Sequence, residues 1–441
     1  MSPVGRDALS RIPPVKRGRI VFIGELAFHA AGNQTLARTI SAYLAEGYEV
    51  VYVTSARVSD VRLSHPRFRA VSVDRAYRPW PVRKILRIAR AKRRPQEPRT
   101  LAFPLGTSSI QPPIGLVVQL AKFVWFSVLV AAPAYRAARS SDTALVYGYE
   151  VFGAPVSRLI GWLAGARSVG RFQGSVLYWI KARNAPLHFI GTALAPRRVV
   201  MGNDGTHGDL VLRSLGFDPR CCLFIHNGVD DVSQPWPDEL PVGFRQGTDV
   251  TWASRQEVEW KRPDIALRAW FLFLRQHRDI WESAGCPRLW MFGGGHLAEA
   301  SRAYAERLGI CDHVEVTGSM PYSVVRRSIL DSRAVVSTND FSNLTNTVLT
   351  AMYYRIPVIV RDWGQVEALA PGVPWTSSEV GPEAAADVAN VIARCLVAHH
   401  RAPPFRAGHL WAERMARELT FTLAEDGGGL QQVLSYGWNV V

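Results

Sequence analysis

RIVFIGELAFHAAGNQTLARTISAYLAEGYEVVYVTS, residues 19–55, decides the fold. Its opening run, RIVFIGE (19–25), is apolar and β-branched, as strands covered on both faces are. A loop with Gly32 follows, then QTLARTISAYLAEGY with apolar residues at helical spacing, then a second strand, EVVYVTS (49–55). Strand, glycine-containing loop, helix and strand within about 35 residues make a βαβ unit. Such a unit requires a parallel sheet, because the helix carries the chain back to the edge where the next strand starts. The alternation recurs in ALVYGYE (144–150), a helix through GAPVSRLIGWLAGA, RSVGRF (167–172) and RRVVMGN (197–203).

The period breaks at DVSQPWPDELPVGFRQGTD (231–249), rich in proline and polar groups, which reads as an interdomain linker. Strands then return at 249–254, 288–293, 313–318, 334–338 and 357–362, with helices between them. The expected organisation is a basic extension (1–18), a Rossmann-like domain (19–235), a second one (236–404) and a terminal helix and tail (405–441). Two doubly wound α/β domains place a ligand at the carboxyl ends of the strands, in a cleft between the halves.

At 441 residues the chain is long enough for two such cores, and 48% hydrophobic with 20% charged residues is the composition of a folded globular protein. Cys221, Cys222, Cys286, Cys311 and Cys395 lack CxxC spacing, so neither a disulfide framework nor a zinc site is indicated. Scattered cysteines and an N-terminus without the apolar segment of a secretory signal fit the cytoplasm. Peripheral contact with the inner face of the cell membrane is the open alternative. The net charge of +15 favours anionic partners and concentrates in RPWPVRKILRIARAKRRPQEPR (78–99). That run is either a solvated face or a patch for an anionic membrane surface; no nucleic-acid partner is expected, since no binding motif accompanies it. IGLVVQLAKFVWFSVLVA (114–131) is interrupted only by Gln119 and Lys122, with Pro112 and Pro113 before it and Pro133 after it as helix bounds. Its narrow polar stripe suits a buried or interfacial helix better than a spanning one.

Five stretches now occur in a telling order: IHNGVD (225–230), ASRQEVEWK (253–261), FGGGH (292–296), VEVTGS (314–319) and SNLTNTVLTAM (342–352). In this order they resemble the retaining glycosyltransferases of family four, whose fold is GT-B, and the resemblance runs from residue 19 to about residue 400. It implies sugar transfer from a UDP- or GDP-sugar donor to a lipid-linked or glycan acceptor, in cell-surface glycan assembly, with no metal or other cofactor. Arg255 and Lys261 match the cations that take up charge on the departing phosphates, although the spacing is one residue longer than the family's commonest form. Gly293 and Gly295 would let backbone approach the donor, and Ser319 would face the base. Gly32 is carried over as the acceptor or phosphate loop, and Gln173 stands where many members hold a histidine. The largest departure lies in the last stretch, where Ser342 and Thr350 occupy the places of two glutamates. Asp340 is the one acid nearby and is expected to replace the first of them in part, while Asn343, Leu344 and Thr345 present backbone N–H groups to the donor. Each motif also has a plain structural reading: surface cations, tight turns and a helix cap. A catalytically silent GT-B scaffold or sugar-binding subunit is therefore the alternative to the enzyme.

Overall fold

The computed structural model describes residues 17–26, 34–77, 113–174, 186–231, 239–256, 261–340, 342–361, 375–376, 383–397 and 410–424. The Gly32 loop, the basic run 78–99 and the expected domain boundary at 235/236 lie outside these residues.

The N-terminal sheet contains β1 (Arg19–Gly24), β2 (Glu49–Thr54), β3 (Phe68–Ser72), β4 (Thr143–Tyr149), β5 (Ser168–Phe172), β6 (Arg198–Gly202) and β7 (Cys222–Ile225). Their order is β3-β2-β1-β4-β5-β6-β7, and every pair is parallel. Both faces of β1 are buried, which explains its unbroken apolar run. Ile20 and Phe22 pack with Leu36 and Tyr43 of the helix Gln34–Ala45, whereas Val21 and Ile23 pack with Phe126 and Val130 of the helix Pro113–Ala138. The second sheet contains β8 (Val250–Ala253), β9 (Leu289–Phe292), β10 (Val314–Gly318), β11 (Ala334–Ser337), β12 (Val358–Arg361) and β13 (Trp375–Thr376). It is ordered β10-β9-β8-β11-β12-β13 and is again parallel. The helices Pro263–Gln276 and Glu383–Val397 cover one face, and the helix Asn346–Tyr353 covers the other. Strand order reverses between β1 and β4 and between β8 and β11, so each domain opens a crevice at the carboxyl ends of those strands.

Two expectations change. Pro133, taken as a helix bound, lies inside the helix Pro113–Ala138. Proline removes one intrahelical hydrogen bond there, but Ala134 and Ala138 beyond it are buried against the sheet, and that packing carries the helix on. The terminal helix, Trp411–Leu423, is not an appendage but part of the N-terminal core. Phe421 joins the cluster around β1, Tyr43 Oη and Thr422 Oγ1 are 2.5 Å apart, and Arg198 Nη1 donates to the Ala424 carbonyl at 2.6 Å. Glu418 accepts from Tyr147 and Arg414, with Arg171 Nε 3.8 Å away, and all four side chains are buried. Removing that carboxylate would leave two buried guanidiniums uncompensated.

Candidate active site

The site is built first from loops at the carboxyl ends of β8, β9 and β10. Gln256, fully buried, ties them together: its backbone N–H donates to the Gly294 carbonyl and its Nε2 to the Gly293 carbonyl, both at 2.9 Å. Its Oε1 accepts from Ser301 of the helix Leu297–Leu308 at 2.8 Å. The glycine run is required by the protein's own packing. A Cβ on Gly293, whose φ is +131°, would stand 1.9 Å from the Ser254 carbonyl oxygen, and one on Gly294 would stand 2.0 Å from Ser319 Oγ. Gly295 also has positive φ, at 142°. The close approach expected for a ligand is thus already made between neighbouring loops, and Ser319 sits against Gly294 within it.

Arg255 follows β8 and is exposed, whereas Lys261 is 6% exposed. The neighbouring Arg262 adopts a left-handed conformation, pairs with Asp264 at 2.8 Å and with Asp340 at 3.4 Å, and so anchors the loop that presents Lys261. Thr338 Oγ1 adds a bond to the Arg262 carbonyl at 2.7 Å. Burial, then the adjacent Arg255 guanidinium, push the Lys261 ammonium down to about 7, while Asp204 acts in the opposite sense. Asp340 is therefore placed beside Arg262 at the foot of the loop.

The stretch after β11 forms the start of the helix Asn346–Tyr353. Thr345 is its N-cap, its hydroxyl accepting from Val348 N at 3.3 Å, so neither Asp340 nor Ser342 takes that place. Thr347 Oγ1 fastens the first turn to the Ala253 carbonyl at the end of β8, 3.2 Å away. Asn343 and Thr350 are buried, and the Leu344 side chain lies in the core with Val348 and Leu349.

The N-terminal rim closes on this helix start. Ser342 Oγ donates to Asp204 Oδ2 at 2.9 Å, and Leu344 N donates to the Asp204 carbonyl at 3.0 Å. Gly205, with φ of +84°, lies so close that its Cβ would meet Asn343 N at 3.1 Å. A Cβ on Gly174 would likewise overlap the Asp204 carboxyl at 2.3 Å, which puts the loop after β5 against the same acid. Gln173 in that loop donates through Nε2 to Tyr149 Oη and through its backbone N–H to Glu150 Oε1, both at 2.7 Å. Glu150 itself has φ of +61°, a strained value for a side chain at the carboxyl end of β4. Asp204 and Glu150 are the residues that sequence reasoning missed. Positive φ is invisible in sequence, and Asp204 lies 138 positions from its partner Ser342.

Asp230 of the NGVD stretch staples the rims. It bonds Arg38 at 2.5 Å, Tyr322 Oη at 2.8 Å and, through its carbonyl, Arg326 Nη2 at 3.0 Å. Asn227 Nδ2 reaches Asn346 Oδ1 at 3.0 Å across the same junction. His226 is buried and His296 exposed, and among the described residues no group of three or more His, Cys, Asp or Glu is arranged to hold a metal ion.

Comparison with solved structures places this architecture. The chain aligns with WaaG, a glycosyltransferase involved in lipopolysaccharide biosynthesis, with a TM-score of 0.54 at 14% identity, covering 94% of this chain and 97% of that one. The fold is GT-B. A second GT-B neighbour is the structure described as trehalose-6-phosphate from E. coli bound with UDP-2-fluoro glucose: TM-score 0.58, 9% identity, 92% of this chain and 94% of that one. A third is a mutant of S. aureus TarM in complex with fondaparinux, alpha-GlcNAc-glycerol and UDP: TM-score 0.52, 11% identity, 95% and 98% coverage. Residues 247–397 match the family model Glycosyl transferases group 1, which takes in most of the C-terminal domain and the loops after β8 to β11. Together the match and the fold support a glycosyltransferase. No curated protein matches the chain.

Proposed function

We propose that the cleft transfers a sugar, with retention of configuration as in family four, from a UDP- or GDP-sugar to a lipid-linked or glycan acceptor at the cytoplasmic face of a membrane. One observation carries the reading: Lys261, 6% exposed and tied through its carbonyl to Thr338 after β11, is buried at the switch point of the C-terminal sheet, close enough to Arg255 and Asp204 to feel both charges. Two cations set side by side where water has little access suit an anion as highly charged as a departing diphosphate. Arg255 and Lys261 then take the charge that a metal ion would otherwise take, so the reading requires no metal. The acid missing at Ser342 is supplied from across the cleft by Asp204, through the bond it makes to that serine. Accepting from the Leu344 amide through its carbonyl, with Gly205 close against Asn343 N, Asp204 also holds the donor loop until a donor displaces it.

Calorimetric titration with UDP and GDP in the presence of EDTA tests this. Micromolar binding of one of them, with slow hydrolysis of the matching sugar nucleotide and an anomeric configuration retained by NMR, is expected. No binding at millimolar nucleotide refutes it. The exchange of both glutamates for Ser342 and Thr350 favours a second reading, a silent sugar-binding subunit. Nucleotide binding without any donor turnover would establish that one.

A further inference from the structure

We propose that the outer surface of the N-terminal helical layer is a docking face for an anionic lipid bilayer. This deepens the functional reading by naming the surface from which a lipid-linked acceptor arrives. Among its described side chains, from Leu120 on, the helix Pro113–Ala138 buries one edge, through Phe126, Val130, Ala134 and Ala138, spaced four apart. Its opposite edge is apolar and open to solvent, with Val124 58%, Trp125 39% and Val128 61% exposed. The neighbouring helix Glu150–Ala164 packs beside it, Phe152 meeting Phe126 edge-on at 5.6 Å, and it exposes Leu159, Leu163 and Trp162, the last at 77%. Exposed large apolar side chains on two helices packed side by side mark an interaction site.

Charge selects the partner. Residues 113–141 and 151–168 contain no acid, and Arg136, Arg139 and Arg158 are exposed on the same two helices and the turn after the first. The chain leading into the first helix, from 78 to 112, has one acid, Glu97, among its many arginines and lysines. Apolar and tryptophan side chains rimmed by cations complement an interface of acyl chains and anionic headgroups. The helix segment Leu120–Ala138 is apolar enough to span, yet Phe126 and Val130 lie in the core with Val21 and Val51, so it lies along the bilayer and does not cross it. The same helix has 26 residues, roughly 39 Å, and connects back to the start of β4, so its first turns reach the cleft end of the sheet. An acceptor anchored in the bilayer then meets the cleft without leaving its leaflet.

The experiment is co-sedimentation of the full chain with vesicles of phosphatidylcholine, with and without phosphatidylglycerol. Binding to the mixed vesicles is expected, at least about tenfold tighter than to phosphatidylcholine alone. The double variant Val124→Gln/Val128→Gln should weaken it at least about tenfold with an unchanged melting temperature, since both side chains are already in water. Arg136→Glu/Arg139→Glu should abolish the preference for phosphatidylglycerol and serves if the first variant melts early. No vesicle binding, binding that neither variant changes, or a concentration-dependent dimer that the valine variant disperses would each overturn the proposal. UDP and GDP titrations on the same preparations report on the cleft separately, so nucleotide binding retained while vesicle binding fails refutes the docking face alone.

Discussion

The two rims of the cleft divide the charge between them. The C-terminal rim carries Arg255, Lys261 and Arg262, and Asp264 and Asp340 on the same rim are paired with Arg262. The N-terminal rim carries Asp204 and Glu150, with Gln173 bonded to Glu150 and Tyr149. On the proposed function, the donor's phosphates meet the first rim and a hydroxyl-bearing partner meets the second. The difference teaches that a loop without a carboxylate of its own, residues 342–352, can still stand against one, because the facing domain holds Asp204 on Ser342 and on the Leu344 amide.

Removing Lys261 is the severest way to break this division. Lys261→Ala should lower donor turnover by about 100-fold or more, read by steady-state kinetics, as loss of a preorganised charge donor does. A smaller change would move the leaving-group role off this rim. Next comes pH. A lysine held at about 7 is largely a neutral amine above that pH and must take up a proton to meet a diphosphate. The Kd for nucleotide should therefore rise by up to roughly tenfold per pH unit beyond about 7. Asp204→Asn removes the group that holds the Lys261 pKa up, so calorimetry should find the rise beginning at lower pH. Stability carries the opposite slope. Between about 7 and the ordinary 10.5 the unfolded lysine binds more protons than the folded one, so stability increases with pH across that window. Lys261→Met should flatten that increase in urea titrations. Smallest is Ser342→Gly. It loses the bond to Asp204 but relieves a left-handed φ of +60°, and its net effect on unfolding should stay within about 1 kcal/mol. A large loss would mean that the bond across the cleft, and not the conformation, holds the loop.

Much of this was legible in the chain. Apolar runs such as RIVFIGE, alternating with helical spacing, leave parallel sheets covered on both faces as the way to bury them, and the order of the five motif stretches adds the resemblance to GT-B. The cations after β8 were legible too, because a strand end and its loop are contiguous in sequence. Other features depended on contacts between distant segments. The glycines of FGGGH were read as room for a ligand, but Ser254 and Ser319 take that room. The helix Trp411–Leu423 looked like a tail, but Phe421 and Glu418 complete the N-terminal core.

By itself the sequence determined the two wound domains, the cleft between them and the positions of Arg255 and Lys261, because periodicity and strand-end loops are local properties. Tertiary structure alone decided that Asp204 meets Ser342, that Asp340 turns to Arg262 and that the apolar edge of Pro113–Ala138 faces outward. Those outcomes depend on which surfaces the folded domains bring together, and no spacing along the chain encodes a contact 138 residues apart.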